Sequence, residues 1–397
     1  MGNQRILCFA SYFIPGFRGG GPIRSLQRII NGLGDDFDFR VVTRDRDAAA
    51  REPYPDVACD RWSEAEGIKI WYLRPPHWTP RAIHRVIADY QPDLLYFQSF
   101  LDPSLVATPL MLRRLGILPR NLPALVAPRG EFAPSALALK KLQKSAWLAV
   151  VRALGLYRDV AWQASNEMEA NHIRAHWGRD ARILIAPNLP PQFGTAVPAR
   201  RRKVTDALRV VFLSRISPMK NLEGALRMLA MTTMPMSLDI YGSQESAEYW
   251  KECERLMHNL PSHVTVTYQG NVAPEQVIGV MASYDLFFLP TLGENFGHVI
   301  LEALMAGCPV LISDRTPWRQ LQQKRAGYEL SLDRPQAFAE ALEKFAAMDD
   351  TQFQDWSDGA ARLGREYCEN GGLRKEVRDV LSGAMRGSDA ISQKKSI

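Results

Sequence analysis

Residues 285–313, DLFFLPTLGENFGHVILEALMAGCPVLIS, contain the pattern that decides the fold. An apolar run ends at Pro290, a glycine-containing turn follows, and a segment with helical apolar spacing then runs to Gly307. A second apolar run, PVLIS, follows shortly after it. We interpret the stretch as strand, turn, helix and strand, with Gly307 as the C-terminal cap of the helix. Glu294 then lies in the turn and Glu302 inside the helix.

The same alternation of short apolar runs with longer amphipathic segments extends over most of the 397 residues. It forms two series, one from RILCFA to RILIAPN and one from LRVVFL to QAFAEALEKFAAM. Strands that alternate with helices favour a parallel sheet covered on both faces, and the length exceeds that of one ordinary core. The sequence therefore predicts an α/β protein with two Rossmann-like, doubly wound domains.

The segment between the two series is rich in proline, glycine and charge and lacks apolar periodicity, which is typical of a linker. We place an N-terminal domain at residues 1–190, the linker at 191–206 and a C-terminal domain at 207–365. Residues 366–386 are expected to form a helical segment that returns to the N-terminal domain. Residues 387–397 have no core-forming pattern and are expected to be a flexible tail.

Composition and charge narrow the class of protein. The chain has no run of eighteen apolar residues and no cleavable signal pattern, so we expect a cytoplasmic protein whose five scattered cysteines are reduced. Residues 1–190 carry 25 Lys and Arg against 18 Asp and Glu, whereas residues 191–397 carry 24 against 25. The basic N-terminal half indicates an anionic partner. Because no nucleic-acid-binding motif accompanies the charge, we expect a membrane surface rather than nucleic acid.

Residues 135–154 combine basic and apolar side chains at helical spacing. The basic ones are Lys140, Lys141, Lys144 and Arg152, and the apolar ones are Leu137, Leu142, Trp147, Leu148 and Val151. Two interpretations stay open, namely an amphipathic helix that lies on an anionic bilayer and a core-packed helix with solvated lysines. The charge of +7 on residues 1–190 favours the first, at the inner face of the cytoplasmic membrane.

The loop after the strand LRVVFL carries two cations. In SRISPMKNL, Arg215 and Lys220 follow the strand end, and Asn221 is expected to cap the next helix. Ligands of open α/β sheets bind beyond the carboxyl ends of strands, and cations beside a helix N-terminus suit a diphosphate. The alternative is that both are solvated loop cations.

Glu294 and Glu302 are expected to bind different parts of a ligand. Residues eight apart on one helix point about 80° apart, so a shared task is not expected. Glu294 is expected to accept hydrogen bonds from a polyol that also contacts the backbone amides of Asn295, Phe296 and Gly297. Glu302 is expected to bind the two hydroxyls of a ribose, although a solvated charge on the helix surface is the alternative.

The first strand is followed by Gly19, Gly20 and Gly21 before a helix, where the backbone N–H groups are able to approach an anion. A bare glycine turn is a weak signal, so a purely structural turn remains an alternative. After the second strand, Asp45 and Asp47 form a D-x-D pattern, which we interpret as a loop. The sequence shows no cluster of residues with metal-ligand spacing.

These motifs, taken in order over nearly the whole chain, resemble family 4 retaining glycosyltransferases, which have two Rossmann-like domains facing across a cleft in the GT-B arrangement. The resemblance implies that Arg215 and Lys220 neutralise the donor diphosphate and its leaving group without a metal or another cofactor. It also assigns Glu294 to the donor sugar and Glu302 to the ribose. Donor-binding positions that it implies elsewhere are Gly20, Gly21, Gly270, Asn271, Val272, Asn295, Phe296 and Gly297.

The segment LVAPRGEFAPSALALKKLQKSAWL resembles an N-domain segment of bacterial family members that build surface polysaccharides. Many relatives carry a histidine here, whereas this chain has Arg129, Gly130 and Glu131. On the acceptor side the resemblance points to Arg24, Arg129 and Glu131. Asn188, which lies just before the linker, is assigned no role other than as part of the hinge between the two domains.

The implied activity is transfer of a sugar from a nucleotide sugar to a saccharide or a lipid-linked saccharide, with polyprenyl diphosphate as one possible carrier. The pathway would be the biosynthesis of O-antigen, capsule or exopolysaccharide. Two alternatives stay open. One is a sugar-nucleotide epimerase of the same architecture, and the other is a non-catalytic protein that binds lipid or nucleic acid.

Overall fold

The structure is a computed structural model that describes residues 3–48, 50–75, 79–138, 141–191 and 207–386. The predicted tail, all but the first residue of the predicted linker, and Lys140 of the predicted basic segment lie outside these ranges. The chain divides into two compact units, residues 1–192 with 371–397 and residues 193–370.

In the described part of the first unit, eight strands form one sheet. They are β1 Gln4–Phe9, β2 Phe37–Arg44, β3 Trp62–Ala65, β4 Ile68–Leu73, β5 Leu94–Phe97, β6 Ala124–Val126, β7 Ala161–Ala164 and β8 Ile183–Ile185. Their order is β3-β4-β2-β1-β5-β6-β7-β8, and all neighbours are parallel except β3 and β4. The helices that precede the second unit are α1 Gly21–Leu33, α2 Pro80–Tyr90, α3 Thr108–Arg114, α4 Pro134–Ala138, α5 Lys141–Ala153 and α6 Glu167–Trp177. A π-helical turn, Pro103–Ala107, precedes α3.

The second unit contains a parallel sheet of six described strands, in the order β11-β10-β9-β12-β13-β14. The strands are β9 Leu208–Leu213, β10 Met236–Tyr241, β11 Val264–Gly270, β12 Leu286–Leu289, β13 Val310–Ser313 and β14 Gly327–Leu330. The helices are α7 Leu222–Leu229, α8 Ala247–His258, α9 Val277–Met281, α10 His298–Met305, α11 Pro335–Ala347 and α12 Asp350–Cys368. The two central strands, β9 and β12, are buried except for Arg209 of β9, which explains their largely apolar sequences.

The prediction of two Rossmann-like, doubly wound domains is confirmed. The sequence patterns missed β3, which forms a hairpin with β4 through Glu66 and Gly67 at φ values of 50° and 74°. A two-residue hairpin loop of type I′ needs positive φ at both positions, and Glu-Gly is a weaker signal for it than Asn-Gly. The short edge strand β14 was missed as well, because four residues show little alternation.

The C-terminal segment crosses between the units. Helix α12 belongs to the second unit, whereas α13, Gly372–Met385, packs on α1, β6 and β8 of the first. Arg374 pairs with Asp36 at 3.1 Å, and Arg182 donates to the carbonyl of Gly383 at 2.6 Å. The predicted returning segment, 366–386, therefore corresponds to the end of α12 followed by α13.

Candidate active site

In the second unit the strand order reverses between β9 and β12. The chain moves from β9 outward through β10 and β11 and then returns to place β12 on the other side of β9. Ligands of open α/β sheets bind beyond the carboxyl ends of the strands at such a reversal. The loops that leave β9 and β12 carry Arg215, Lys220 and Glu294, so the topology gathers these three predicted residues at one edge.

The backbone next to Arg215 runs closely alongside the loop after β10. The N–H of Ser214 donates to the carbonyl of Tyr241 at 3.1 Å. A Cβ added to Gly242, which has a φ of 134°, would lie 1.8 Å from the carbonyl oxygen of Ser214. Only glycine permits this approach.

Arg215 forms an ion pair with Glu245 of the β10–α8 loop. Their side chains are 43% and 39% exposed, and the N–H of Glu245 donates to the carbonyl of Ile216 at 3.1 Å. Arg215 is therefore a solvent-exposed loop cation that has a carboxylate partner. Sequence reasoning missed Glu245, because only the pairing of β9 with β10 brings it beside Arg215.

Lys220 ends a 3₁₀ turn, Pro218–Lys220, that leads into α7. The next residue, Asn221, has a φ of 58°, and its side chain accepts a hydrogen bond from the N–H of Gly224 at 3.1 Å. The predicted helix cap is thereby confirmed. The Asn221 amide also donates to the carbonyl of Pro290 at 2.8 Å, which ties the β9–α7 loop to the β12–α10 loop.

Two further hydrogen bonds join the same loops. The N–H of Leu292 donates to the carbonyl of Met219 at 2.8 Å, and the hydroxyl of Thr291 donates to that carbonyl at 3.0 Å. The turn that holds Lys220 is therefore fixed against the turn that holds Glu294.

Lys220 and Glu294 form an ion pair in which the side chains are only 12% and 10% exposed. The N–H of Glu294 donates to the carbonyl of Arg315 at 2.9 Å, which fixes the backbone that carries the carboxylate. The sequence assigned the two residues to different parts of a ligand and did not predict their contact. Because the pair is largely buried, the attraction between the two charges is stronger than it would be in water. It holds both side chains beyond the carboxyl ends of β9 and β12, where the strand order reverses.

Glu302 lies inside α10, as predicted, and is 5% exposed. The alternative of a solvated charge on the helix surface is therefore wrong. Helix α10 begins at His298, four residues after Glu294, so the helical angle does not relate the two carboxylates. Gly297, with a φ of 79°, turns the chain into the helix.

Phe296 has a packing role in this turn. Its ring lies 5.6 Å from that of Trp318 and 5.5 Å from that of Tyr367, measured between centroids. The indole N–H of Trp318 donates to the Phe296 carbonyl at 2.7 Å. The aromatic cluster therefore fixes the backbone of this turn, which includes Asn295.

The loop after β11 contains Gly270, Asn271 and Val272. Gly270 has a φ of 81°, and its carbonyl accepts a hydrogen bond from Gly242 at 2.8 Å. Asn271 is exposed and Val272 is partly buried against the core. Through Gly242, this loop and the Arg215 loop share one edge of the sheet.

In the first unit, the glycine turn lies between β1 and α1 as predicted. Gly20 has a φ of 72° directly before the helix, Gly21 is the first helical residue, and Arg24 is partly buried in the first turn. A Cβ on Gly19 would lie 2.9 Å from the Cδ1 of Ile23. The turn therefore packs tightly on its own helix.

The D-x-D pattern lies in the loop after β2, in agreement with the sequence interpretation. Asp45 is fully buried and pairs with Arg46 at 2.9 Å. Asp47 accepts hydrogen bonds from the N–H groups of Phe17 at 2.9 Å and Arg18 at 3.1 Å. Asp47 thus orients the glycine-rich loop, and the described residues contain no group of three His, Cys, Asp or Glu side chains suited to a metal.

Arg129 lies beyond β6 with a φ of 53°. Its guanidinium donates to Gln98 Oε1 at 2.8 and 3.0 Å, to the Tyr96 hydroxyl at 3.0 Å and to Asn188 Oδ1 at 3.2 Å. Asn188 is 2% exposed, and sequence reasoning gave it no such partner. The buried Gln98 Nε2 has no hydrogen-bond partner in the described part of the chain.

Glu131 follows two residues later and has other partners. It accepts hydrogen bonds from the Ser99 hydroxyl and from the N–H of Phe100, both at 2.6 Å. Burial raises the pKa of Glu131 to about 7, although these hydrogen bonds oppose the shift. Arg129 and Glu131 therefore both tie this loop to residues 96–100, at the end of β5.

With this geometry established, comparison with known proteins gives the class of the fold. Residues 196–361 match the family described as glycosyl transferases group 1. The structure is similar to that of HepE from Anabaena, solved with UDP and glucose, with a TM-score of 0.70 at 16% identity over 96% of this chain and 100% of that one. The two Rossmann-like domains have the GT-B fold.

Two curated relatives are similar in sequence. The D-inositol 3-phosphate glycosyltransferase of Paenarthrobacter aurescens is 25% identical over 232 residues, which are 55% of each chain. The alpha-galactosylglucosyldiacylglycerol synthase of Streptococcus pneumoniae is 27% identical over 128 residues, or 32% of each chain. The match thus spans about half the length of the first relative and a third of the second.

Proposed function

We propose that the protein is a glycosyltransferase that moves a sugar from a nucleotide sugar to an acceptor with retention of anomeric configuration. The observation that carries the proposal is the arrangement of Arg215, Lys220 and Glu294 at the reversal point of the second sheet. Both cations lie beside strand ends, where a donor diphosphate suits the topology. The family match over residues 196–361 and the named relatives support the same class.

Arg215 and Lys220 stabilise the negative charge that develops on the departing nucleoside diphosphate. The bond from the anomeric carbon to the diphosphate breaks, and a bond to the acceptor hydroxyl forms on the same face. The acceptor proton goes to an oxygen of the leaving phosphate. The protein then contributes positioning and electrostatic stabilisation, without a metal or another cofactor.

The remaining donor contacts are proposed from the family resemblance. Glu294 and the backbone of Asn295, Phe296 and Gly297 hold the sugar, and Glu302 binds the ribose hydroxyls. The loop of Gly270, Asn271 and Val272 contacts the nucleobase, and the backbone N–H groups of Gly20 and Gly21 bind a phosphate group. The HepE structure holds UDP and glucose, which supports a uridine nucleotide as the first donor to test.

The acceptor contacts lie in the first unit, at Arg24, Arg129 and Glu131. The resemblance of this segment to proteins that build surface polysaccharides supports a lipid-linked saccharide acceptor, in the pathways of O-antigen, capsule or exopolysaccharide. We place the protein in the cytoplasm, at the inner face of the cytoplasmic membrane.

A panel of nucleotide sugars tests the donor assignment by thermal shift. A ligand that binds only the folded state at one hundred times its Kd stabilises it by about 2.7 kcal/mol. We expect one or a few nucleotide sugars to raise the melting temperature. If none of them does, the proposal is wrong and a non-catalytic protein is favoured.

A second experiment separates transfer from epimerisation. The stabilising donor is incubated with the protein alone and with candidate lipid-linked saccharides, and the products are analysed by NMR spectroscopy. We expect a glycoside with the anomeric configuration of the donor only when the acceptor is present. Isomerised donor in its absence would show an epimerase instead.

A further inference from the structure

Exposed apolar side chains cluster on one part of the first unit. Eight large hydrophobic residues of the described chain are well exposed, and five of them lie within residues 115–154. They are Leu115 at 62%, Ile117 at 54%, Leu142 at 87%, Val150 at 50% and Leu154 at 46%. We call these five side chains the α5 surface. An exposed apolar cluster of this kind marks an interaction site in a water-soluble unit.

Helix α5 has two apolar faces. Leu148 and Val151 are buried in the core, and the indole of Trp147 reaches the carbonyl of Phe100. On the other side, Leu142 and Val150 are exposed and lie about 80° apart around the helix. The exposed alanines on the same side are Ala146, Ala149 and Ala153. A core-packed helix with solvated lysines explains only the first face.

The loops after α3 and α5 approach each other at Arg114 and Gly155. A Cβ added to Gly155 would lie 3.7 Å from Nη2 of Arg114, which adjoins Leu115. The strands that these two loops enter, β6 and β7, are neighbours in the sheet. The exposed residues of α5 and of the α3–β6 loop therefore lie on neighbouring segments of the first unit.

The same two segments are predominantly basic. Residues 113–120 contain three arginines and no acidic residue, and residues 141–160 contain four lysines and arginines against one acidic residue, the exposed Asp159. Five of these cations are exposed, namely Arg114, Arg120, Lys141, Arg152 and Arg158. The α5 surface thus carries aliphatic groups bordered by positive charge.

We propose that the α5 surface docks the protein on an anionic lipid bilayer. Aliphatic side chains enter the interface while lysine and arginine pair with lipid phosphates, which matches the two components of this surface. A second copy of the chain would bring like charges together, and nucleic acid would not bury leucine and valine. Among the helices of the described ranges, none is long and apolar enough to cross a bilayer.

Docking on a bilayer would also place the candidate acceptor residues near the membrane surface. This inference rests on the proposed function. The loop that carries Arg129 and Glu131 leads directly into α4 and α5. Since α5 begins near that edge of the sheet, a bilayer under α5 lies close to the candidate acceptor residues. A lipid-linked acceptor would then reach them without leaving the membrane.

Vesicle flotation of the full chain tests the surface. We expect the protein to float with vesicles of phosphatidylcholine and phosphatidylglycerol, to float less with phosphatidylcholine alone, and to dissociate as salt screens the charges. In the triple variant Leu142→Ser, Val150→Ser, Leu154→Ser, the amount of vesicle-bound protein should fall about tenfold or more, because three apolar side chains no longer enter the bilayer interface. Replacement of exposed residues should leave the fold intact, which the melting temperature checks.

The matched control is Met231→Ser, which removes an exposed apolar side chain from the second unit. It should float like the original protein. Equal flotation of the triple variant, or no flotation with anionic vesicles, would overturn the proposal. A dimer in light scattering that the triple variant abolishes would assign the surface to a second copy. Donor-induced thermal stabilisation of each variant is measured separately, so failure of the proposed function is distinguished from failure of the docking surface.

Discussion

Lys220 and Glu294 are 74 residues apart in the chain and form an ion pair at the point where the second sheet reverses its strand order. Arg215, on the same loop as Lys220, is paired with Glu245. Each candidate diphosphate cation therefore has a carboxylate partner. A bound diphosphate would compete with these carboxylates for the same two cations, which makes the pairs part of the energetics of donor binding.

Lys220→Ala should reduce turnover by about two to three orders of magnitude, as removal of a group that stabilises a developing anion does. The substitution also leaves Glu294 without its cation, so the melting temperature is measured in parallel. Lys220→Ala with Glu294→Gln separates the two effects, because that pair leaves no uncompensated carboxylate. Unchanged turnover in Lys220→Ala would contradict the assignment to the leaving group.

Glu302→Ala should weaken donor binding by roughly thirtyfold or more, since hydrogen bonds to a buried carboxylate are each worth about 1.5–3 kcal/mol. The specific measurement compares a ribonucleotide donor with its 2′-deoxy analogue in calorimetry. The original protein should prefer the ribonucleotide, and the variant should lose that preference. The control Glu340→Ala removes an exposed carboxylate from α11 and should change neither affinity. A preference that survives in Glu302→Ala would argue against the ribose contact.

Glu245→Gln should strengthen donor binding by a factor of about two to five, because the diphosphate no longer competes with a carboxylate for Arg215. The gain should shrink at high salt, since the Arg215–Glu245 pair is partly exposed. Glu248→Gln is the matched control, as Glu248 is an exposed carboxylate at the start of α8. Weaker binding in Glu245→Gln would indicate that Glu245 positions Arg215 for the ligand.

Glu131→Gln should change how stability depends on pH. The pKa of Glu131 is raised from 4.5 to about 7 in the folded protein, so the unfolded chain releases this proton first. Its contribution to stability therefore falls as pH rises from about 4.5 to about 7. In thermal melts at pH 5, 6 and 7.5, the melting temperature of the variant should rise relative to that of the original protein as the pH increases. A difference independent of pH would contradict the raised pKa.

Part of the site could be predicted from single segments. Asn221 at its helix cap, Glu294 in a turn and Glu302 within a helix all follow from local residue patterns. The partners could not be predicted in this way. Asn188 contacts Arg129 from 59 residues away, and Glu245 reaches Arg215 only because β9 and β10 are neighbours.

The amino-acid sequence by itself determined that the chain forms two doubly wound domains and where the chemically distinctive turns occur. Those properties depend on apolar periodicity and turn residues, which act over a few neighbouring positions. Only the tertiary structure decided which charges meet and which face of α5 remains uncovered. Strand order brings distant loops together, and a periodic apolar pattern carries no information about which of two faces another element will bury.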